Sequence, residues 1–186
     1  MQIRPDSLII ISNVSETDYE SFANEDLKLD YDGECLYIHS PATFEHEQLV
    51  FTILKSLKEY LNVPPRIGEA VGSRFSIMLK NGKRVEPDVV VIPFGSVQKR
   101  VSLFKGKTIL ICEILFPSTR SHDIERKLNW YQESDVPEIW YYDPEAKTMT
   151  SYYLQSNHHY LEEVHREGIF NGKVLPGYRL DLADLI

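Results

Sequence analysis

The sequence has few cysteines and no long apolar run. Among its 186 residues only Cys35 and Cys112 are cysteines, and their spacing matches no CxxC-type motif. We therefore expect buried thiols in a reducing compartment rather than a disulfide or a zinc site. No apolar stretch approaches the roughly 20 residues of a membrane helix. The run Leu8–Ile11 is also too short for a signal-peptide core. These absences predict a cytoplasmic protein with no membrane partner.

The chain also lacks an excess of positive charge, since its net charge is −8 with histidine neutral. This argues against a general polyanion binder, whose basic face would supply the affinity. It does not exclude a nucleic-acid enzyme, because a local basic patch and a bound divalent cation can offset an acidic surface. One such patch comprises Lys99, Arg100, Lys105 and Lys107. For each of these residues taken singly, a solvated loop is the simpler interpretation.

Three catalytic motifs are missing as well. The sequence contains no glycine-rich phosphate loop, no nucleophile elbow and no HExxH helix. These absences exclude nucleotide-loop kinases, α/β-hydrolases and zincins.

What the sequence does contain is a central apolar strand with a carboxylate inside it. Five of the first seven residues of Thr108–Leu115 are Ile, Leu or Cys, which indicates a strand buried on both faces. Glu113 lies within this run, where an unpaired charge would be costly. A second apolar strand starts at Asp88. With 42% hydrophobic and 26% charged residues, we expect one domain over 1–186, with the strand that contains Glu113 in the middle of an α/β or α+β sheet.

Two helices are predicted beside these strands. The segment 44–61 has its apolar residues at the helical period of 3.6, and His46 extends the same stripe into the first turn. A second helix should begin near Thr119 or Ser121 and end near Ser134. Lys127 lies on its apolar stripe, which is unusual for a lysine without a partner.

Shorter elements fill the rest of the pattern. We expect a turn at Asp30–Gly33, and the Asn-Gly pair after Lys80 indicates a hairpin turn. The remaining predictions are a helix at 16–24, strands at 34–38, 67–71, 74–79, 138–142, 148–154 and 160–165, and a closing strand and helical turn after Leu175.

Asp88, Glu113 and Lys127 allow two interpretations. Carboxylates on neighbouring strands could share Mg²⁺, and a nearby lysine could orient water or stabilise charge on a phosphoryl oxygen. Alternatively, Glu113 and Lys127 form a buried salt bridge and Asp88 caps a strand, which the pattern alone slightly favours. His46 also allows two interpretations. It is either a donor at the edge of the site or a histidine that completes the helix stripe, and spacing alone favours the second about two to one.

Several motifs occur in the order and spacing of a known family. The main ones are Glu86-Pro-Asp88-Val-Val-Val, Ile111-Cys-Glu113-Ile-Leu-Phe-Pro-Ser-Thr-Arg120, Asp123 with Lys127 and Tyr131, and Val136-Pro-Glu-Ile-Trp-Tyr-Tyr-Asp-Pro144. Further matches are Asp32-Gly-Glu34, Ser40-Pro41 with His46, and Leu175-Pro-Gly-Tyr-Arg-Leu-Asp181. Over about residues 25 to 186 the chain resembles the Uma-type putative restriction endonucleases, within the PD-(D/E)XK nuclease superfamily.

This resemblance implies an α+β fold with a mixed central sheet flanked by helices. It also implies the roles of particular residues. Asp88, Glu113 and Ile114 would be the ligands of Mg²⁺ or Mn²⁺. The superfamily lysine usually lies two positions after the glutamate, where this chain has Leu115, so the resemblance assigns its role to Lys127. His46 and Glu34 would assist at the rim of the site.

Two classes of function follow from these observations. The first is a metal-dependent DNA endonuclease, for which cutting both strands would favour a homodimer. The second is a catalytically silent module that binds DNA or a protein partner, which Leu115 and the acidic surface favour. Phe116 favours it too, because relatives usually have serine there. In a third interpretation, Asp88, Glu113 and Lys127 are purely structural.

Overall fold

The computed structural model describes residues 8–23, 27–97, 101–117 and 119–185. Of the predicted basic patch, Lys99 and Arg100 lie outside these ranges. The helices are α1 Glu16–Phe22, α2 Phe44–Leu61 and α3 Leu128–Glu133, which continues a π-helical turn, His122–Lys127; a 3₁₀ turn is Leu182–Leu185. The strands are β1 Leu8–Ile11, β2 Lys28–Tyr31, β3 Leu36–His39, β4 Gly68–Gly72, β5 Ser76–Met78, β6 Arg84–Val85, β7 Val89–Pro93, β8 Leu103–Phe104, β9 Leu110–Ile114, β10 Glu138–Asp143, β11 Thr148–Leu154, β12 Tyr160–His165, β13 Ile169–Phe170 and β14 Leu180–Asp181.

The central sheet is mixed and has six strands in the order β12-β11-β10-β9-β7-β4. Strand β9 pairs in parallel with β10 and antiparallel with β7. All five of its residues are buried, because both faces of the sheet are covered. Val89 and Val91 belong to the apolar cluster that includes α2, whereas Val90 and Ile92 belong to the cluster on the opposite face. The predicted α+β class and mixed central sheet are confirmed.

A second six-stranded sheet, in the order β1-β3-β2-β6-β5-β8, packs on the face opposite α2. Tyr37, Ile77 and Val85 of this sheet share one apolar cluster with Ile111 of β9. Because side chains alternate along a strand, Glu113 lies on the same face as Ile111 and therefore points toward the second sheet.

Helix α2 has the bounds that the apolar period predicts. Thr43 caps it, because its Oγ1 accepts a hydrogen bond from the backbone N–H of His46 at 3.2 Å. The buried stripe runs from His46 to Leu61 and packs on β4, β7 and β9. This cap therefore holds His46 in the first turn, above the start of β7.

The helix that carries Lys127 is not a regular α-helix, and in this respect the predicted 3.6-residue period was wrong. Residues His122–Lys127 form a π-helical turn, and the N–H of Leu128 bonds the carbonyl of Asp123, five residues earlier. The wider turn buries His122, Asp123 and Lys127 together. π-Turns occur often at functional sites. Within the described residues, no helix has the length and apolar character needed to cross a membrane.

Strand β2 corrects a second prediction. Asp30 and Tyr31 belong to this strand rather than to a turn, which instead begins at Asp32. Lys28 and Asp30 are two residues apart and so lie on the same side of β2. The misassigned turn therefore contained a residue that the structure buries fully, Asp30.

The two faces of α2 give a test of this packing. Ile53 is 0% exposed and Phe51 is 62% exposed. We expect Ile53→Ala to lower the free energy of unfolding by about 2–5 kcal/mol, because it leaves a cavity against the central sheet. Phe51→Ala, on the opposite face, should change it by less than about 0.5 kcal/mol. Urea unfolding of both variants measures this; similar losses would contradict the packing.

Candidate active site

A cleft of about 440 Å³ opens between α2, the second sheet and the ends of β7 and β9. It is lined by Leu27, Lys28, His39, Ser40, Pro41, Ala42, His46, Glu47, Ser73, Arg74, Asp88, Glu113, Ile114, Phe116, Thr119 and Asp123. The structure therefore brings both predicted strand carboxylates, Asp88 and Glu113, to one concave surface.

Asp88 precedes β7 and is held by three groups. Its Oδ2 accepts a hydrogen bond from the backbone N–H of Ile114 at 2.9 Å and lies 3.2 Å from Nε2 of His46. Its Oδ1 pairs with Nζ of Lys28 at 2.6 Å. Burial disfavours the Asp88 carboxylate, but the charges of Lys28 and His46 lower its pKa below the ordinary value. Asp88 is therefore ionised at neutral pH.

Glu113 adjoins Asp88 directly, since its Oε2 accepts a hydrogen bond from the backbone N–H of Asp88 at 3.1 Å. Its Oε1 lies 2.5 Å from Nζ of Lys127 and accepts a hydrogen bond from the hydroxyl of Tyr131. Both carboxylates are almost fully buried although they line the cleft. Neighbouring antiparallel strands thus place two acidic side chains at one point.

Lys127 is 0% exposed and connects three acidic residues. Besides Glu113, its Nζ lies 3.7 Å from both Asp30 and Asp123. Burial disfavours the ammonium, but Asp30 and Glu113 raise the pKa of Lys127 well above its ordinary value. Lys127 is therefore a permanent cation rather than a proton acceptor at neutral pH. Leu115, where the superfamily lysine usually lies, instead packs in the core.

Asp123 is the acidic residue of the π-turn that lies near Lys127. Burial raises the pKa of Asp123 to about 7, although Lys127 opposes this shift. Because this value is near neutral pH, both the protonated and the ionised forms of Asp123 are populated there.

His46 and Phe116 meet at the rim. Their ring centroids are 5.3 Å apart, and Phe116 lines the cleft. Burial disfavours the charged imidazole, but hydrogen bonding to Asp88 raises the pKa of His46. Its Nδ1 lies 3.5 Å from the Glu47 carboxylate. His46 is therefore placed to orient Asp88.

The structure does not bring every predicted residue to the cleft. Glu34 lies in the exposed turn between β2 and β3, where its carbonyl accepts a hydrogen bond from the backbone N–H of Val14, and it is not among the residues that line the cleft. Ile114 does line the cleft. Because its side chain is a hydrocarbon, only its backbone carbonyl could be a metal ligand.

Three residues of the site were missed from the sequence, namely Lys28, Asp30 and His39. Lys28 pairs with Asp88, while Asp30 bonds His39 and approaches Lys127. Burial disfavours ionisation of Asp30, but Lys127 and His39 lower its pKa well below the ordinary value. The sequence did offer a signal: Lys28 and Asp30 alternate with Leu29 and Tyr31, as in a strand with one polar face.

The donors present fit a hard divalent cation. Asp88 and Glu113 supply carboxylate oxygens, and the carbonyl of Ile114 is a third oxygen, which is the donor chemistry that Mg²⁺ and Mn²⁺ prefer. The ammonium of Lys28 already occupies Oδ1 of Asp88, so this point attracts positive charge. Lys28 retains some exposure at the cleft.

The fold has a similar counterpart among solved structures. The crystal structure of a putative nuclease belonging to DUF820, from Anabaena variabilis ATCC 29413, superposes with a TM-score of 0.74 over 94% of this chain and 97% of that chain. The two sequences are 16% identical, so the likeness shows the fold alone. No curated protein matches this chain. This chain therefore shares the α+β fold class of that protein.

The sequence identifies the family within this class. Residues 16–183 match the Uma2 family, described as "Putative restriction endonuclease". This chain belongs to that family, which confirms the resemblance noted from its motifs.

Glu86 gives a pH-dependent test of the electrostatics beside the site. Burial and the nearby Asp30 charge raise the pKa of Glu86 from 4.5 to about 7. The folded protein therefore binds more protons than the unfolded chain between these values, and Glu86 makes it less stable as the pH rises through them. We expect the stability of Glu86→Gln relative to wild type to increase by about 2–3 kcal/mol between pH 5 and pH 8.

The measurement is urea unfolding at both pH values. Glu59→Gln is the matched control, because the Glu59 side chain is exposed on α2. The difference in free energy of unfolding between Glu59→Gln and wild type should be the same at both pH values. If the difference in free energy of unfolding between Glu86→Gln and wild type is also the same at both pH values, the raised pKa of Glu86 is contradicted.

Proposed function

We propose that this protein is a Mg²⁺- or Mn²⁺-dependent endonuclease that hydrolyses DNA phosphodiester bonds in the cleft. The observation that carries the proposal is the meeting of Asp88 and Glu113 at the cleft, with the Lys127 ammonium 2.5 Å from Glu113. Membership of the Uma2 family supports it. Cleavage of both strands would require two such sites, which favours a homodimer.

Each residue has a role that its surroundings support. Asp88, Glu113 and the carbonyl of Ile114 would hold the divalent cation, which when bound supplies Lewis-acid activation of water and phosphate. Lys127, as a permanent cation, would orient the attacking water and stabilise negative charge on the phosphoryl oxygens. His46 would hold Asp88 in its orientation. Glu34 has no part in this proposal.

Substrate binding requires positive charge at the cleft despite the acidic surface. Lys28 and Arg74 both line the cleft. When Lys28 leaves Asp88, its ammonium would become available to a backbone phosphate of DNA. This exchange would let the nucleic acid and the divalent cation enter together. The cation would take the place of Lys28 at Asp88, and a phosphate of the nucleic acid would pair with the displaced Lys28.

One observation favours the second function, a silent binding module. All four oxygens of Asp88 and Glu113 already have partners, namely Lys28, His46, Lys127, Tyr131 and the backbone N–H groups of Ile114 and Asp88. A network satisfied in this way can be retained for stability alone. Measurement of metal binding separates the two functions.

Calorimetric titration with Mn²⁺ tests the metal site. We expect binding by the wild-type protein and none by Asp88→Asn, because the substitution removes a charged ligand. Lys28→Met should bind on the order of tenfold more tightly, since no ammonium must leave Asp88; this corresponds to about 1.4 kcal/mol. The control is Lys55→Met, which makes the same change of charge at an exposed lysine on α2.

Each outcome decides between the functions. Binding that disappears in Asp88→Asn supports the proposed metal site. Equal binding by wild type and Asp88→Asn would show that Mn²⁺ binds elsewhere. Absence of wild-type binding both without and with duplex DNA, whose phosphates could complete the coordination, would overturn the endonuclease proposal and favour the binding module.

A further inference from the structure

A second group of metal-ligating side chains lies beside Asp88 and Glu113, formed by residues to which the proposed function gives no role. Oδ2 of Asp30 lies 2.7 Å from Nε2 of His39 and 3.3 Å from Nε2 of His122. The three residues come from β2, β3 and the π-turn, and their potential ligand atoms all lie within 4.8 Å of one another. Two imidazoles thus converge on one carboxylate oxygen.

These separations match the edges of a metal coordination shell. A transition-metal ion binds imidazole nitrogen and carboxylate oxygen at about 2.0–2.2 Å, so neighbouring ligand atoms lie about 3.0–3.5 Å apart in octahedral or tetrahedral geometry. The distance from Asp30 to His122 falls in this range, and that to His39 is slightly shorter. Small side-chain movements would admit an ion in place of the hydrogen bonds.

The surrounding structure orients Asp30 and His122. The second oxygen of Asp30 accepts a hydrogen bond from the backbone N–H of Glu86 at 2.9 Å, which leaves Oδ2 directed at the histidines. The ring of His122 packs against Tyr37, with centroids 4.5 Å apart, and against Trp130. His39 lines the cleft and so offers an entry path. Partners of this kind fix the first ligands of metal sites.

The local charge can accommodate a cation. The nearest positive group is Lys127, whose Nζ lies 3.7 Å from Oδ2 of Asp30. This ammonium also pairs with Glu113 at 2.5 Å and approaches Asp123 at 3.7 Å. Glu113 therefore also offsets the charge of Lys127, and Asp30 need not neutralise it alone.

We propose that Asp30, His39 and His122 bind a transition-metal ion such as Zn²⁺, at a site separate from the oxygen ligands of Asp88 and Glu113. Two imidazole nitrogens and one carboxylate favour Zn²⁺, Co²⁺, Ni²⁺ or Fe²⁺ over Mg²⁺, which prefers oxygen ligands alone. The π-turn is essential to this site, because it presents His122 and Lys127 on one buried face. Through Asp30, the ion would be linked to Lys127.

Zinc titration of the full chain tests this site. We expect one equivalent of Zn²⁺ to bind wild type and Asp88→Asn with similar affinity, and His39→Gln and His122→Gln to bind at least about tenfold more weakly, a loss of about 1.4 kcal/mol. His159→Gln, which replaces an exposed histidine, should bind like wild type. Circular dichroism and thermal unfolding establish that each variant is folded.

A second measurement needs no variant of the ligands. The sequence has six histidines, and ¹⁵N chemical shifts of their imidazole nitrogens report which rings bind Zn²⁺. Shifts at Nε2 of His39 and His122 alone support the proposal. No binding by wild type would overturn it, as would undiminished binding by both histidine variants or shifts confined to other histidines. Loss of Zn²⁺ binding in Asp88→Asn, with a shift at His46, would place the ion in the cleft and also overturn it.

Discussion

The buried ion pair between Lys127 and Glu113 is the interaction on which the site depends. Neither charge could remain buried alone, because removing one partner of a buried pair costs on the order of 3–5 kcal/mol. The pair joins β9, the central strand, to the π-turn. It also lies within 3.7 Å of Asp30 on β2. One interaction thus fixes the second sheet and the π-turn against the central sheet.

This constraint explains why the cleft has its composition. Fully buried acidic groups need cations, and the chain supplies Lys127 for Glu113 and Lys28 for Asp88. The two lysines differ in exposure, because Lys127 is enclosed while Lys28 retains some exposure at the cleft. We infer that Lys127 belongs permanently to the site, whereas Lys28 can exchange with another cation. The same network serves both stability and the proposed chemistry.

The sequence predicted the parts of the fold that local patterns determine. The bounds of α2 were correct because Thr43 provides a cap, the apolar stripe is regular and Pro64 follows its end. Asp88 and Glu113 stood out because a charge within a buried strand needs a reason. Lys127 was found by its position on an apolar stripe. The sequence placed Asp88 and Glu113 on neighbouring strands and Lys127 on the following helix, and this placement predicted that the three side chains lie close together.

Features that depend on distant segments were not predictable in this way. Lys28 and Asp30 reach the site only because β2 lies over the central sheet, and no local pattern encodes that contact. The sequence Asp30-Tyr-Asp-Gly33 resembled a turn because its final residues do form one. His122 was not selected from the sequence, since an α-helical period does not bury it. The π-turn changes that period by one residue, and this difference creates the second group of ligands.

The central claim is that Asp88, Glu113 and Lys127 form a metal-dependent cleavage site. Its most direct test is incubation of a randomised duplex DNA pool with wild type, Asp88→Asn and Lys127→Met, with and without Mn²⁺, followed by sequencing of new ends. The account predicts Mn²⁺-dependent ends from wild type and a loss of about 100-fold or more in both folded variants. Equal cleavage by Lys127→Met, or no cleavage of any pool member by wild type, would contradict it.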